Sequence, residues 1–396
     1  MTSAVIVDIV RTASGRGKPG GALSGVHPAD LLATTIRALL ERTGLDPDLV
    51  DDVIAGCVGQ VGDQGLNIAR TAALTAGLPE HVPGTTVDRQ CGSSQQAAHF
   101  AAQGVMAGAY DIAIACGVES MSRVPMFSNA AGGDAFAPLT ARYPHGLPSQ
   151  GYGAELIAAR WVLGRSALDE YAARSHELAA AHATSGAFDR EIVPVALTDA
   201  DGNRSQHHVD QTVRPGTSVE ALSGLKASFV DDAMAARYPE IQWLITPGNS
   251  SPLTDGASAA LIMSEEKAAA LGLTPRARFH TFAVTGSDPE LMLSGVIPAT
   301  EKVLARSGLS IGDIDSYEVN EAFVPVPLAW AKELGADPDR LNPRGGAIAL
   351  GHPLGGSGTR LMATLVNHLE QTGGRYGLQT MCEGGGMANA TIIERV

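Results

Sequence analysis

An internal repeat constrains the fold of this 396-residue chain more than any other feature of its sequence. Residues 40–54 and 304–318 share an arginine, a glycine, a leucine and an aspartate at matching places, with an offset of 264 positions. In each copy a helix-like pattern ends at the glycine, Gly44 or Gly308, and a β-rich run follows. The chain is therefore predicted to contain two related halves, each built from alternating helices and strands.

A second pair of similar segments lies further along each half. Residues 109–117 resemble residues 375–383, and aligning their tyrosines and cysteines pairs Cys116 with Cys382 at an offset of 266 positions. Two pairs of similar segments with nearly the same offset are hard to attribute to amino-acid composition alone. The repeated unit predicts an α/β fold with mostly parallel strands, and the seam between two such halves is a natural place for a ligand site.

The stretch between the two halves is predicted to be rich in loops, with a few helices. Residues 247–274, which include a predicted strand at Ser258–Met263, are expected to return to the sheet of the first half. The predicted domains are a first half of residues 1–120 and 247–274, a loop or lid domain of residues 121–246, and a second half of residues 275–396.

Two helices are predicted within the loop domain. The first covers residues 154–165. The second covers residues 166–184, where Ser166 and Asp169 stand at the positions of a capping box. The domain would then be an insertion that lies over the seam between the halves.

Charge and composition argue against several classes of function. The net charge is −14, so the basic field typical of nucleic-acid binding is missing. No apolar stretch reaches the ~20 residues of a membrane span, and the N-terminus lacks a secretory pattern, so a cytoplasmic location is expected. The cysteines are too far apart for a Cys-x-x-Cys motif and are expected to be free thiols: Cys57, Cys91, Cys116 and Cys382.

Cys91 lies where a β-rich run ends and an alanine-rich helical pattern begins, in Asp-Arg-Gln-Cys-Gly-Ser-Ser. A thiol at a helix N-terminus is expected to have a lowered pKa, because the helix dipole stabilises the thiolate. Gly92 keeps the turn small, so that a substrate carbonyl could approach. The segment alone leaves open the alternative of a buried structural thiol.

Three further segments combine a polar side chain with strand ends or glycines. His352, between a glycine and a proline, could bond a thiol or a developing oxyanion, or have no role. Cys382 precedes three glycines whose backbone N–H groups could form an oxyanion hole. Asn320 follows a strand-like run and could hold a water molecule or a ligand carbonyl. Each signal is weak by itself.

Together the four segments resemble the four motifs of the thiolases, in that family's order and spacing. They are Asp-Arg-Gln-Cys-Gly-Ser-Ser around Cys91, Asn-Glu-Ala-Phe at Asn320, Gly-His-Pro at His352 and Cys-x-Gly-Gly-Gly at Cys382. The resemblance covers nearly the whole chain. It implies a thiolase fold, in which two duplicated βαβαβαββ halves pack back to back in layers with an inserted loop domain, and this agrees with the repeat.

The resemblance also implies a role for each motif residue. Cys91 would be the nucleophile that becomes acylated, and His352 would activate it and help to form a first oxyanion hole. Asn320 would hold a water molecule in that hole. Cys382 would be the general acid and base at C2 of acetyl-CoA or at the coenzyme A thiol. The backbone N–H groups of Cys91 and Gly384 would form a second oxyanion hole.

The implied reaction needs no tightly bound cofactor and no metal, and coenzyme A would be a co-substrate. Arg214 could supply a local positive charge for the nucleotide end, although a solvated surface arginine is the alternative. Family members are usually dimers or tetramers, so a homodimer or homotetramer is expected. The positions implied to contact coenzyme A or its acyl group are Arg214, Ser251, Ser149, Gln150, Met292 and Phe323.

The chain departs from the family where substrate should bind. A Ser-Gln pair at 149–150 replaces a His-Met pair common in thiolases of short acyl chains, and Arg344 replaces a small or polar residue. Residues 230–245 form a longer stretch that contains Tyr238 and Trp243. A wider pocket with an aromatic wall predicts a preference for bulky or medium-to-long acyl groups over acetoacetyl-CoA.

The predicted function is thiolytic cleavage of a 3-ketoacyl-CoA to acetyl-CoA and a shortened acyl-CoA, in fatty-acid or other acyl-chain degradation. A biosynthetic acetoacetyl-CoA thiolase and a non-catalytic acyl-CoA-binding relative are alternatives. Ketoacyl synthases and hydroxymethylglutaryl-CoA synthases lack a second catalytic cysteine, so Cys382 argues against them. A cysteine hydrolase would use water in place of coenzyme A as the acyl acceptor.

Overall fold

The computed structural model describes residues 2–199 and 201–396, which form a large β-sheet with helices on its faces and a separate small hairpin. The hairpin lies in the middle of the chain. The strands are β1 (Ala4–Thr12), β2 (Gly15–Arg16), β3 (Asp52–Gly56), β4 (Gly84–Val87), β5 (Ile112–Ser120), β6 (Ile192–Val193), β7 (Val195–Thr198), β8 (Arg204–His207), β9 (Thr254–Ser264), β10 (Ala277–Gly286), β11 (Ser316–Val319), β12 (Tyr376–Glu383) and β13 (Met387–Arg395).

The large sheet consists of two half-sheets that meet at its centre. Its strand order is β11-β12-β13-β10-β1-β9-β5-β3-β4, and β1 pairs with β10 through Val5 with Arg278 and Ile6 with Ala277. The predicted α/β fold of two related halves is confirmed. The prediction of mostly parallel pairing is wrong, because β9 and β13 each return antiparallel to both of their main neighbours.

The strand pairings of the two halves correspond at one offset, 264 positions. The carboxylate of Asp51 accepts hydrogen bonds from two backbone N–H groups around the start of β5, and Asp315 does the same at the start of β12. This shared interaction fixes which residues of the two halves are equivalent. The offset of 266 predicted for the second pair of segments is therefore wrong, and Cys116 corresponds to Thr380 rather than to Cys382.

Helices cover both faces of the half-sheets. The equivalent helices α1 and α9 each end at a left-handed glycine, Gly44 (φ 65°) and Gly308 (φ 75°), as the repeat predicts. In the described part of the chain, no helix is long and apolar enough to cross a membrane. The helices are α1 (Pro28–Thr43), α2 (Ile68–Ala76), α3 (Ser93–Met106), α4 (Gln150–Arg160), α5 (Arg165–Thr184), α6 (Val219–Ser223), α7 (Asp232–Arg237), α8 (Glu265–Ala270), α9 (Val296–Ser307), α10 (Pro325–Leu334), α11 (Ala347–Leu350) and α12 (Ser357–Thr372).

The helices α3 and α12 pack against each other between the two half-sheets. Small side chains allow this close approach, since a Cβ on Gly358 of α12 would lie 2.1 Å from a backbone nitrogen of α3. The N-terminal turns of the two helices are joined by a hydrogen bond from the Thr359 backbone N–H to the Ser94 hydroxyl at 3.0 Å. The two segments that carry the cysteine and histidine motifs therefore meet at one end of the central layer.

The helix boundaries in the middle of the chain differ from the prediction. The first helix, α4, begins at Gln150, and the second, α5, begins at Arg165. The predicted capping box is wrong, because Asp169 is buried and accepts a hydrogen bond from Nε of Arg165 at 2.7 Å. The chain then returns to the first half-sheet through β9, as predicted for Ser258–Met263. The division into three domains stays a prediction.

Candidate active site

Cys91 lies at the turn between β4 and α3, as its sequence motif predicts. The preceding residue, Gln90, has a left-handed backbone (φ 48°), which a non-glycine residue adopts at a steric cost. The Ser93 hydroxyl holds this turn, since it accepts from the Arg89 backbone N–H at 2.9 Å and donates to the Gln90 carbonyl at 2.6 Å. The turn thereby fixes the thiol at the N-terminus of α3.

Burial dominates the chemistry of the Cys91 thiol. The residue is 2% exposed and packs with Leu361 and Met381. Burial raises the pKa of the thiol well above its usual range, and negative charge on Cys382 or Glu383 would raise it further. The predicted lowering of this pKa by the helix dipole is therefore outweighed, and thiolate formation needs a base beside the sulfur.

His352 lies in the glycine-rich turn before α12, and three hydroxyl or carbonyl groups define its orientation. Its backbone N–H donates to the Thr254 hydroxyl at 3.0 Å. Its Nδ1 lies 2.6 Å from Oγ of Ser357, which donates its own proton to the Pro353 carbonyl at 2.9 Å. Because that hydroxyl proton is already used, we assign the ring proton to Nδ1 and a lone pair to Nε2.

The environment keeps this imidazole neutral. Burial, reinforced by the positive charge of Arg360, lowers the pKa of His352 to about 3. A neutral imidazole with a lone pair at Nε2 can accept a thiol proton. The resulting imidazolium would be stabilised by the thiolate that forms with it.

Asn320 directly follows β11 and lies beside two of the predicted catalytic residues. Its Nδ2 lies 3.3 Å from Nε2 of His352. Its side chain also lies close to the Cys382 thiol, and this proximity acts to lower the pKa of that thiol. Within the described residues, Oδ1 of Asn320 is buried without a hydrogen-bond partner. That oxygen is available to a water molecule or to substrate, as the prediction for Asn320 requires.

Cys382 is fully buried near the end of β12. Burial is the main cause that raises the pKa of its thiol to about 12, against the opposing effect of Asn320. At neutral pH the side chain is therefore a protonated thiol, which can deliver a proton to a carbanion and recover one later.

Gly384 opens the three-glycine turn between β12 and β13. A Cβ at this position would lie 2.9 Å from Oε1 of Gln90, so the close approach of that side chain favours glycine. The next two residues, Gly385 and Gly386, have positive φ angles of 80° and 75°. In the part of the chain that the structure describes, the backbone N–H groups of Cys91 and Gly384 donate to no backbone carbonyl. Two such donors fit an oxyanion hole.

Three of the positions predicted to contact coenzyme A or its acyl group lie around the N-terminus of α4: Ser149, Gln150 and Met292. Ser149 is the N-cap residue and makes no side-chain capping bond. Nε2 of Gln150 would lie 3.5 Å from a Cβ on Gly384, so Gln150 borders the candidate oxyanion hole. Met292 is buried with a left-handed backbone (φ 50°) and packs against Gly153 of α4.

Two of the predicted coenzyme A contacts lie together. The Ser251 backbone N–H donates to the Ala322 carbonyl at 3.0 Å, which places Ser251 beside Phe323. The Phe323 ring packs edge-on against Phe229, with centroids 6.1 Å apart. Arg214 is exposed, and no hydrogen bond within the described residues joins it to this pair. Its role stays a prediction.

Arg344 does not lie at the acyl site, and the expectation that it borders the substrate is wrong. Its buried guanidinium donates to the Ala187 carbonyl at 3.0 Å and to Oε1 of Gln371 at 2.6 Å. These contacts tie the middle of the chain to the C-terminal end of α12.

The four motif segments thus meet at one end of the central helices. The site combines two thiols, a neutral imidazole, an amide and backbone N–H donors, which is the set that acyl transfer through a thioester requires. Two family models match the chain: "Thiolase, N-terminal domain" matches residues 4–266, and "Thiolase, C-terminal domain" matches residues 273–395. The chain belongs to the thiolase family. It is therefore an acyltransferase, as its motifs predict.

Relatives of known name agree with this thiolase assignment. The chain is 48% identical to the steroid 3-ketoacyl-CoA thiolase FadA6 of Mycobacterium tuberculosis, over 100% of this chain and 95% of the relative. It is 44% identical to a 3-ketoacyl-CoA thiolase of Serratia proteamaculans, over the full length of both. A crystal structure of the Bacillus anthracis acetyl-CoA acetyltransferase matches with a TM-score of 0.89 and 35% identity, covering 100% of this chain and 99% of that one. The predicted thiolase fold is confirmed.

Sequence reasoning missed two groups that support this thiolase site. Ser357 orients the His352 ring, and its position five residues after the histidine was the available signal. The buried Glu119 carboxylate accepts from the backbone N–H groups of Val58, Gly59 and Gly355, and so joins the first half to the histidine turn. No local pattern marks that residue, because its partners come from two distant segments.

Proposed function

We propose that this thiolase cleaves 3-ketoacyl-CoA substrates by thiolysis, through an acyl-enzyme on Cys91. The proposal depends mainly on one observation: the Asn320 side chain contacts His352 and lies close enough to Cys382 to lower the pKa of its thiol. A base and a proton donor are thereby held in one cluster beside the nucleophile. The names of the relatives, 3-ketoacyl-CoA thiolase, support the degradative direction.

In the first half-reaction, Nε2 of His352 takes the proton of Cys91, and the thiolate attacks the C3 ketone of the substrate. The resulting oxyanion is held by N–H donors. The bond between C2 and C3 then breaks, and its electron pair passes to C2 of the departing acetyl-CoA as an enolate. Cys382 gives its proton to C2, which leaves an acyl group on Cys91 and a thiolate on Cys382.

In the second half-reaction, that Cys382 thiolate takes the proton of an incoming coenzyme A thiol. The coenzyme A sulfur attacks the thioester carbonyl, and the Cys91 sulfur leaves. His352 returns its proton to Cys91, so that both cysteines are thiols again. The backbone N–H groups of Cys91 and Gly384 are proposed to bind the enolate oxygen of acetyl-CoA.

The acyl group is proposed to be larger than that of acetoacetyl-CoA. Aromatic side chains surround the start of α4: Tyr152 packs edge-on against Phe229 and against Trp243, with centroids 6.2 and 6.4 Å apart. Gln150 stands where short-chain thiolases commonly have methionine. One relative at 48% identity is named a steroid 3-ketoacyl-CoA thiolase, which supports a bulky acyl group. Tyr238, whose hydroxyl donates to Glu290 at 3.2 Å, would stiffen the wall rather than form its surface.

The test compares kcat/KM for acetoacetyl-CoA, a medium-chain 3-ketoacyl-CoA and a ring-bearing 3-ketoacyl-CoA. The larger substrates are expected to be favoured at least tenfold, because each buried methylene contributes ~0.8 kcal/mol. Gln150→Met should shift the ratio toward acetoacetyl-CoA, whereas Gln206→Met, at an exposed position in β8, should not. Equal or better efficiency of the native enzyme on acetoacetyl-CoA would favour the biosynthetic alternative.

Coenzyme A is proposed to lie along Ser251 and Phe323, with Arg214 near its phosphate groups and Ser149 and Met292 beside the thioester end. No other cofactor is proposed. A homodimer or homotetramer in the cytoplasm is the proposed working form, and sedimentation of the purified protein would measure its size.

A further inference from the structure

Glu383 lies inside the active-site cluster and has no role in the reaction described above. It is the last residue of β12, between Cys382 and Gly384, and its side chain is fully buried. Its carboxyl group packs against the first residue of the turn after the nucleophile, since a Cβ on Gly92 would lie 2.1 Å from Oε1 of Glu383.

Neither oxygen of this carboxyl group has a hydrogen-bond partner among the described residues. An ionised carboxylate in such a place would be expensive, so the group is held as a neutral acid. Burial, opposed by the charge of Arg89 and aided by that of Asp88, raises the pKa of Glu383 to about 9.

The charged and titratable groups around Glu383 come from two elements. Its own strand contributes Cys382, and the turn before α3 contributes Asp88, Arg89 and Cys91. From β13 comes the uncharged Asn389, whose Nδ2 donates to the Gly92 carbonyl at 2.9 Å. Arg89 does not pair with Glu383, and its Nη1 instead lies 3.8 Å from the sulfur of Met387.

Charge on Glu383 acts on both thiols of the site. Its negative form raises the pKa of Cys91 and also that of Cys382. The reaction requires each of these thiols to become a thiolate in turn, so a neutral Glu383 favours both half-reactions and an ionised one opposes both.

We propose that Glu383 is a positioning residue of the thiolase reaction, whose buried, uncharged carboxyl group permits thiolate formation at Cys91 and Cys382 and whose ionisation suppresses it at alkaline pH. The proposal rests on the roles proposed above for the two cysteines. Ionisation of Glu383 would then set the upper pH limit of the enzyme's activity, although its side chain need not contact the substrate.

The test measures alkylation of Cys91 by iodoacetamide from about pH 6 to about pH 10, a range that brackets the raised pKa of Glu383. Peptide mass spectrometry would follow Cys91 and Cys382 separately in the full-length protein. In the native enzyme the rate at Cys91 should rise in two phases, flattening as Glu383 ionises. A curve with a single ionisation would overturn the proposal without any variant.

Glu383→Gln keeps the shape of the side chain and removes its charge. Its Cys91 should react within about twofold of the native rate at neutral pH, and roughly tenfold or more faster at about pH 10, as expected for unit charges a few ångströms apart in a protein interior. The matched control is Glu318→Gln, which removes another buried carboxyl group in the same half-sheet and should retain the two-phase curve.

Two outcomes separate this inference from the proposed function. A Glu383→Gln curve that coincides with the native one would overturn the role of Glu383 while leaving the acyl-enzyme mechanism intact. Full turnover by a Cys91→Ser variant would instead overturn the mechanism. The pH profile of kcat/KM provides a second readout, in which Glu383→Gln should extend activity to higher pH.

Discussion

Nδ2 of Asn320 lies 3.3 Å from Nε2 of His352. Because the ring proton is on Nδ1, beside the Ser357 hydroxyl, Nε2 is the ring nitrogen that carries a lone pair. An amide N–H is a donor only, so this contact is made to the neutral ring and would be lost when Nε2 takes a proton. The amide could then turn its N–H groups to a water molecule or to the substrate oxyanion. The pair is therefore suited to a cycle in which His352 gains and loses a proton.

Asn320→Ala is expected to lower kcat by about 10²-fold, the loss typical for removal of one oxyanion donor. Its effect on KM should be small, because the side chain acts on the reacting atoms rather than on the coenzyme. Steady-state kinetics with a saturable 3-ketoacyl-CoA would measure both. A variant with native kcat and raised KM would mean that Asn320 binds substrate and does not assist the chemistry.

Ser357→Ala is expected to lower kcat/KM by roughly tenfold, because the His352 ring loses the acceptor that fixes its tautomer. Ser258→Ala is the matched control, since its hydroxyl donates at 2.6 Å to the Gly356 carbonyl of the same turn and does not contact the imidazole. Stopped-flow measurement of acyl-enzyme formation would compare them. Equal losses in both variants would indicate a structural role for the serine.

Cys382→Ala is expected to become acylated on Cys91 by acyl-CoA and yet to lose turnover by ~10²–10⁴-fold, the usual range for a general acid and base. Intact-protein and peptide mass spectrometry would locate the acyl group. Cys116→Ala, which removes a buried thiol from the core of β5, should retain turnover. Acylation at Cys57 or Cys116 in place of Cys91 would contradict the assignment of the nucleophile.

The sequence predicted the parts of this fold and site that depend on local chemistry. The glycines that end α1 and α9, the turn at Cys91 and the strand before Asn320 were all visible in short segments. The alignment of the second pair of similar segments was not visible in this way. Matching Cys116 to Cys382 relied on identical residues, whereas the strand junctions are set by Asp51 and Asp315.

Long-range packing determined the features that the sequence did not predict. The pKa of the Cys91 thiol depends on burial by residues distant in the chain, and that burial outweighs the helix dipole. The position of Arg344 in its sequence motif predicted that it borders the substrate, but its side chain donates hydrogen bonds to Ala187 and to α12. Such partners cannot be inferred without the fold.

The two buried acids Glu318 and Glu383 make the stability of this protein depend on pH. Burial raises the pKa of Glu318 to about 8 and that of Glu383 to about 9, whereas both would titrate at about 4.5 in an unfolded chain. Between these limits the native state keeps protons that the unfolded state releases. The free energy of unfolding should therefore fall as pH rises above about 5, by on the order of 1 kcal/mol per pH unit for each acid, up to about pH 8 for Glu318 and about pH 9 for Glu383. Urea unfolding of the Glu318→Gln, Glu383→Gln double variant should show a shallower fall than the native protein, and Glu80→Gln, at an exposed position, should not. Equal slopes in all three proteins would mean that the two acids find partners in solution and ionise in the folded state.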